Sequence, residues 1–398
     1  NMNKKIFAVS ILVGTLCTSC GINKSCDMNT IIEKGLERSV EQSKFLATSL
    51  IEEPEQLPRY VLADGTLVTS DSHWWCSGFF SGVLWQLYEN TGDELLKEYA
   101  ENYTARIKKE QYSLDTHDLG FMMYCSYGHA YRITGEDKYK DVILQSSKSL
   151  ASRFNPKVGV IKSWDDKPKW EFPVIIDNMM NLEMLEEAFK LTNDTIYDKI
   201  ANSHAMVTMS NHFRPDYSSC HVLDYDTINN KVGKIDTHQG YSSTSAWARG
   251  QAWGLYGYTM MYRETQKPVY LEQAKHIAKF IINHPNLPKD KVPYWDFDAP
   301  DIPNTYRDAS AAAIMASAFI ELSQYVDKGL ANEYLDIART QLCTLTSDEY
   351  LAAPGSNGGF ILKHSVGNMN ENREVDVPLT YADYYYVEAL LRYKHLNQ

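Results

Sequence analysis

From about residue 28 onward, apolar side chains recur at three- and four-residue spacing between short polar turns, which is the helical period. The runs alternate in character. Those at 78–90, 119–133, 179–191, 247–264 and 310–325 are apolar, small or aromatic over much of their circumference. The run after each carries an apolar stripe opposite a charged face, as a helix on the outside of a fold does. The pattern predicts about twelve helices, near 28–51, 76–90, 93–110, 118–133, 136–152, 177–191, 194–213, 244–264, 268–284, 309–325, 330–346 and 380–395. Strand-like runs are few, at 158–162 and within 350–362.

The turns repeat as well. Thr91-Gly-Asp-Glu, Thr134-Gly-Glu-Asp, Thr192-Asn-Asp-Thr and Thr265-Gln-Lys-Pro each separate an apolar helix from an amphipathic one, and Tyr334 with Ala338 marks a weaker copy. Recurring helical hairpins build either a solenoid or a closed ring. Long insertions at 53–75, 154–176, 214–243, 285–308 and 347–379 follow alternate helices, so in a ring they all emerge at one end. The expectation is an all-α fold: an (α/α)6 barrel of six hairpins, with the long loops forming one mouth.

Composition narrows the partners. The 398 residues carry a net charge of −12, which disfavours a nucleic-acid backbone as partner. Seven scattered cysteines form neither a zinc pattern nor a dense disulfide framework, and Cys76 and Cys125 read as buried thiols. At the start, Lys4 and Lys5 precede the apolar run 6–16, which is too short to span a bilayer. Leu16-Cys-Thr-Ser-Cys20 then reads as a bacterial lipoprotein signal. The expectation is a leader over 1–20, a single barrel domain over 21–398, lipidation at Cys20, and export to the periplasm or the outer membrane. Membrane contact is then through the lipid alone.

Candidate chemistry gathers at the predicted starts of alternate helices. The stretch His238-Gln-Gly-Tyr-Ser-Ser-Thr-Ser-Ala-Trp-Ala-Arg-Gly-Gln-Ala-Trp253 holds an imidazole, a guanidinium, a carboxamide and two indoles, but no acid. Such a set suits an anionic sugar: Arg249 can fork onto a carboxylate while a ring stacks on an indole. Ser243 or Ser245 is its expected helix cap. Asp118 and Asp177 open neighbouring inner helices, where two carboxyls can do acid/base work. Asp177 follows the apolar run 172–176, and burial there would raise its pKa. His117 beside Asp118 lacks the further ligands of a metal site, so no metal or cofactor is expected.

Six of these segments, in order, resemble the unsaturated glucuronyl hydrolases, family 88 of the glycoside hydrolases. They are Trp75-Cys-Ser-Gly-Phe-Phe-Ser-Gly-Val-Leu-Trp85, His117-Asp-Leu-Gly-Phe121, Ile176-Asp-Asn-Met-Met-Asn-Leu182, His238-Gln-Gly240, Ser245-Ala-Trp-Ala-Arg-Gly-Gln-Ala-Trp253 and Arg307-Asp-Ala-Ser-Ala311. The resemblance implies the barrel fold. It also implies removal of a 4,5-unsaturated uronic acid from the non-reducing end of lyase-generated glycosaminoglycan oligosaccharides, by hydration of the vinyl ether. On it, Asp177 is the acid/base group and Asp118 the second carboxylate. Trp75, His117, Trp164, Asn178, His238, Gly240, Arg249, Gln251 and Trp253 surround the substrate, joined by Ser356 and Asn357 and, on a weaker match, Tyr381 and Asp383. Lys167, Lys169, Lys231 and Lys234 are candidates for a sulfated outer subsite. The competing readings are an unsaturated galacturonyl hydrolase acting on pectin fragments and a non-catalytic sugar-binding lipoprotein.

Overall fold

The computed structural model describes residues 26–396, so the expected leader and Cys20 lie outside the described residues. The helices are α1 (Met28–Ser49), α2 (Phe79–Thr91), α3 (Glu94–Ala105), α4 (His129–Thr134), α5 (Asp137–Ala151) and α6 (Leu182–Thr192). They continue as α7 (Thr195–Asn211), α8 (Ala248–Thr265), α9 (Pro268–Asn283), α10 (Ala309–Leu322), α11 (Lys328–Leu345) and α12 (Thr380–Lys394). A wide π-helical run, Gly120–Gly128, leads directly into α4, and a 3-10 turn, Ile176–Asn181, leads into α6.

The repeated turn has a common chemistry. Thr91, Thr134, Thr192 and Thr265 each donate a hydroxyl hydrogen bond to the carbonyl four residues back, closing an inner helix. Each hydroxyl also accepts the amide N–H two residues ahead. The residue between, Gly92, Gly135, Asn193 or Gln266, takes the left-handed conformation that ends a helix. Asp93 and Asp194 then cap the next helix. One four-residue device thus reverses the chain at four of the six hairpins.

The ring closes. The run 120–134 packs between α2 and α6; α6 packs on α8, α8 on α10, α10 on α12, and α12 back on α2. The outer helices α1, α3, α5, α7, α9 and α11 cover this inner ring. Inner helices touch neighbours on all sides, so α10 is buried along its whole length. The fold is an (α/α)6 barrel, and closure sets it apart from the solenoid. A disulfide between Cys26 and Cys343 ties the chain ahead of α1 to α11, while Cys76, Cys125 and Cys220 are free thiols.

Among the described residues, the mouth loops carry nine short strands. These are β1 (Leu57–Val61), β2 (Leu67–Ser70), β3 (Phe154–Asn155), β4 (Val160–Ile161), β5 (Pro173–Ile175), β6 (Val222–Asp226), β7 (Lys231–Asp236), β8 (Ser365–Asn368) and β9 (Arg373–Val377). β5, β6 and β7 form an antiparallel sheet beside the mouth, and β8 and β9 form a hairpin across from it. The strand expected at 158–162 shrinks to β4, and 350–362 holds only a bridge from Leu351 to Leu362.

Candidate active site

The apolar run 172–176 becomes β5 and delivers Asp177 into the 3-10 turn ahead of α6. Asp118 sits just ahead of the π-helical run on the neighbouring inner element. Both carboxyls face a cavity of about 420 Å3 at the mouth, together with Trp75, Trp164 and His238. Asp177 is 5% exposed and its Oδ1 has no hydrogen-bond partner. Burial pushes its pKa up to about 6, against the pull of Arg249 and His117 and with added repulsion from Asp118. Asp118 is held differently: its Oδ2 accepts from the Thr116 hydroxyl and its Oδ1 lies 3.1 Å from His117 Nε2.

One residue beside Asp177 was not expected from the sequence. His221, at the edge of β6, is fully enclosed, with Nε2 3.7 Å from Asp177 Oδ1. Its Nδ1 accepts the backbone N–H groups of His238 and Gln239, at 3.0 and 3.1 Å. An acceptor Nδ1 places the ring proton on Nε2, so a neutral imidazole turns an N–H toward the Asp177 carboxyl. Burial holds its pKa well below the usual imidazole range.

The walls are aromatic and carry both signs of charge, Lys167 and Arg373 with Asp115 and Asp166. Trp164 leans on Trp170 (ring centroids 5.7 Å apart) and His238 (5.3 Å), and Trp75 leans on Phe121 (5.4 Å) and Tyr381 (4.9 Å). Lys167 lines the cavity with its ammonium 5.6 Å from the Trp164 ring. Lys169 and Lys234 pair with Asp236 at 2.9 and 3.0 Å, and Lys231 is exposed on β7. His73, Trp74, Gln239 and Arg373 also line the cavity.

Several expected pocket residues lie elsewhere. Arg249 is fully buried: it donates to the carbonyls of Val366 and Gly367 at 2.6 and 2.7 Å and pairs with Asp308 at 3.3 Å. It therefore holds the β8–β9 hairpin rather than a ligand, and reaches Asp177 only through its field. Gln251 accepts from the Ser219 N–H and donates to the Tyr217 carbonyl, anchoring the 214–243 loop. Trp253 is core, 5.0 Å from Phe121 and 5.6 Å from Tyr385. His117 is enclosed behind Asp118, and Asn178 donates to the Ile161 carbonyl. The Gly240 carbonyl accepts from Asn370, and a Cβ there would meet Thr237 Oγ1 at 2.8 Å.

Ser356 and Asn357 are also outside the cavity. Gln42 of α1 donates to the Ser356 carbonyl, and Asn357 donates to the carbonyls of Phe360 and Leu362. Tyr381 is buried beneath Trp75, and Asp383 accepts the N–H groups of Ile361 and Leu362. Neither Ser243 nor Ser245 caps α8: Trp247 occupies the cap position, and the Ser245 hydroxyl donates to Asp296.

Beneath the carboxyls the bore is shut. Phe79, Phe121, Trp253 and Tyr385 form a buried aromatic layer with neighbouring centroids 5.0–6.1 Å apart. A separate cavity of about 490 Å3 lies beyond it, among the C-terminal ends of the inner helices. Its wall is a salt-bridge network in which Arg263 pairs with Glu183 and Glu321, and Arg392 with Glu321 and Glu388.

Acid/base chemistry on a sugar is what the mouth cavity is equipped for, with one buried carboxyl whose pKa is raised to about 6, a second carboxyl facing the same space and flat aromatic walls. The comparisons agree: the chain belongs to glycosyl hydrolase family 88, whose sequence model matches residues 52–394. It is 51% identical over 324 residues to an unsaturated glucuronyl hydrolase of Formosa agariphila, covering 81% of this chain and 80% of the relative. It is 33% identical over 351 residues to an unsaturated chondroitin disaccharide hydrolase of Streptococcus pneumoniae, covering 86% and 88%. The crystal structure of an unsaturated glucuronyl hydrolase specific for heparin superposes with a TM-score of 0.89 at 50% identity, covering 92% of this chain and 97% of that one.

Proposed function

We propose that this hydrolase removes the 4,5-unsaturated uronic acid from the non-reducing end of glycosaminoglycan oligosaccharides left by polysaccharide lyases. The observation that carries the reading is Asp177: a buried carboxyl with a pKa of about 6, free of hydrogen bonds at Oδ1, and facing an aromatic-walled cavity. The relatives named for unsaturated glucuronyl and chondroitin substrates support it.

In the reaction, the Asp177 carboxyl gives its proton to C4 of the vinyl ether, and the double-bond electrons form the new C–H bond. Positive charge develops at C5 and is shared with the ring oxygen. Water adds at C5 and returns a proton to the Asp177 carboxylate. The C5 hemiketal opens, leaving C1 as a hemiacetal that expels the neighbouring sugar. The His221 N–H steadies the carboxylate during the interval when it is charged, and Asp118 positions the sugar. Trp75 and Trp164 offer ring faces to it.

The test is a panel of lyase-generated unsaturated disaccharides of heparin, chondroitin and hyaluronan type, sulfated and not, followed by loss of the ultraviolet absorbance of the double bond. At least one is turned over by the native enzyme and none by Asp177→Asn. No turnover of any member would refute the function; normal turnover by the variant would refute the role of Asp177.

The same reading places the enzyme outside the cytoplasm, anchored through Cys20. The leader motif supports it, as does the Cys26–Cys343 disulfide, a bond that persists in oxidising compartments. A mature N-terminus other than lipidated Cys20, read by mass, would end the anchor proposal.

A further inference from the structure

Past the active cavity the mouth carries a second concavity, a shallow trough of about 650 Å3 between the 285–308 loop and the β8–β9 hairpin. Tyr241 and Tyr306 line it and are each 46% exposed. Trp295 lies beneath them, 5% exposed, edge-on to Tyr241 at 6.5 Å, with its indole N–H donating to the Thr305 hydroxyl. Single exposed aromatics are common on any surface. Two half-exposed rings over a buried third, in a trough edged by Asn304, Thr305 and Asn370, form an apolar platform with polar margins.

The trough and the active cavity share a wall. His238 and Gln239 line the cavity and Tyr241 lines the trough. Asn370 stitches the segment between them, donating to the carbonyls of His238 and Gly240 at 3.0 and 2.7 Å. The segment is also fixed from below, where Asp296 accepts the Tyr241 N–H at 2.8 Å and the Ser245 hydroxyl at 2.8 Å. The backbone that carries Tyr241 is thus fixed before any ligand arrives, which limits the freedom lost on binding.

Size points to what crosses that wall. A cavity of 420 Å3 is near the lower end of the range that encloses a small ligand, and has room for roughly two sugar rings. A longer chain must leave by the mouth. Toward Trp164 the exit carries ion pairs, Lys167 with Asp166 and both Lys169 and Lys234 with Asp236. Toward Asn370 it is the trough, where among the described residues Asp301 is the only charged side chain in the lining. The acid disfavours an anionic group placed against it, so the tyrosines take the C–H face of a ring whose carboxylate or sulfate points away from Asp301 to solvent.

We propose that the trough is an extended subsite that binds the third and fourth rings of an unsaturated oligosaccharide by stacking on Tyr241 and Tyr306. The proposal rests on the function put forward above. The test compares the unsaturated di- and tetrasaccharide of a series that the enzyme turns over. The tetrasaccharide has the lower KM with the native enzyme. Tyr306→Ala and Tyr241→Ala each raise its KM about 3- to 10-fold, the range of one lost aromatic contact. They leave kcat and both disaccharide constants unchanged, and Tyr306→Phe behaves as native. A KM independent of chain length, or a tetrasaccharide KM unmoved in both alanine variants, overturns the subsite while disaccharide turnover leaves the catalytic assignment standing. Absence of all disaccharide turnover refutes the assignment instead.

Discussion

Replacing Asp177 by Asn should make the protein more stable while it destroys activity. The ordinary carboxyl value of 3.8 rises to about 6 in the cavity, because burial disfavours the charged form. Each tenfold change in an acid's dissociation constant is worth about 1.4 kcal/mol. The rise from 3.8 to about 6 therefore costs the folded state about 3 kcal/mol once the group is ionised both folded and unfolded. The sign follows from the direction. A raised folded pKa favours the protonated carboxyl, so its full contribution is present below 3.8 and lost as the pH climbs through about 6. Asn cannot ionise and escapes that loss. It also gives up little, since Asp177 Oδ1 accepts no hydrogen bond. Thermal unfolding of both proteins from acid to mildly alkaline buffer reads the difference. One kcal/mol moves Tm by roughly 2–4 °C in domains of 150–250 residues and by less in a longer chain, so the gap above pH 6 should be about 3–6 °C. It should close toward pH 4. A variant less stable than native in alkaline buffer, or a gap that ignores pH, would show that the carboxyl does not resist ionisation in the folded protein.

The remaining expectations concern the same carboxyl and the frame around it. Because the acid form of Asp177 starts the reaction, kcat/KM should fall as pH rises through about 6; a profile level into alkaline buffer contradicts this. Arg249→Met removes the strongest charge that lowers the Asp177 pKa, so the falling limb should move to higher pH. The same change strands Asp308 and the carbonyls of Val366 and Gly367, costing about 3–5 kcal/mol in denaturant unfolding; an unmoved limb would dissociate Arg249 from the acid. Cys343→Ser should cost about 2–4 kcal/mol by opening the link to Cys26. Reductant should lower the Tm of the native protein to that of the variant and leave the variant itself unchanged.

The helix count and the mouth were legible because they rest on periodicity and on a turn whose atoms are local. Thr91, Gly92 and Asp93 need no distant partner to reverse the chain. The two acids were legible for a related reason, as each begins an inner element and all inner elements begin at one end. The face that an inner helix shows to the bore was not legible. The residues of α8 are buried on every side from Ala248 to Met261, so no polar stripe distinguishes the direction of the cavity from that of the core. Arg249, Gln251 and Trp253 were therefore set in the wall when they belong to its support. His221 was missed because its importance comes from two backbone amides 17 and 18 residues later, which fix its tautomer. Ser356 answers to Gln42, more than 300 residues earlier, and no local pattern records that contact, while Asn357 turns back onto the carbonyls of Phe360 and Leu362.

The aromatic layer of Phe79, Phe121, Trp253 and Tyr385 turns the barrel from a tunnel into a well. A well admits a polymer only by its tip, so the enzyme trims chains from one end and cannot cut within them. It also orders departure. After cleavage the freed uronate lies at the bottom, stoppered by the remainder of the chain that delivered it. The shortened saccharide must leave first and the acid second, which makes the small acid the product that competes with the next substrate for the empty enzyme.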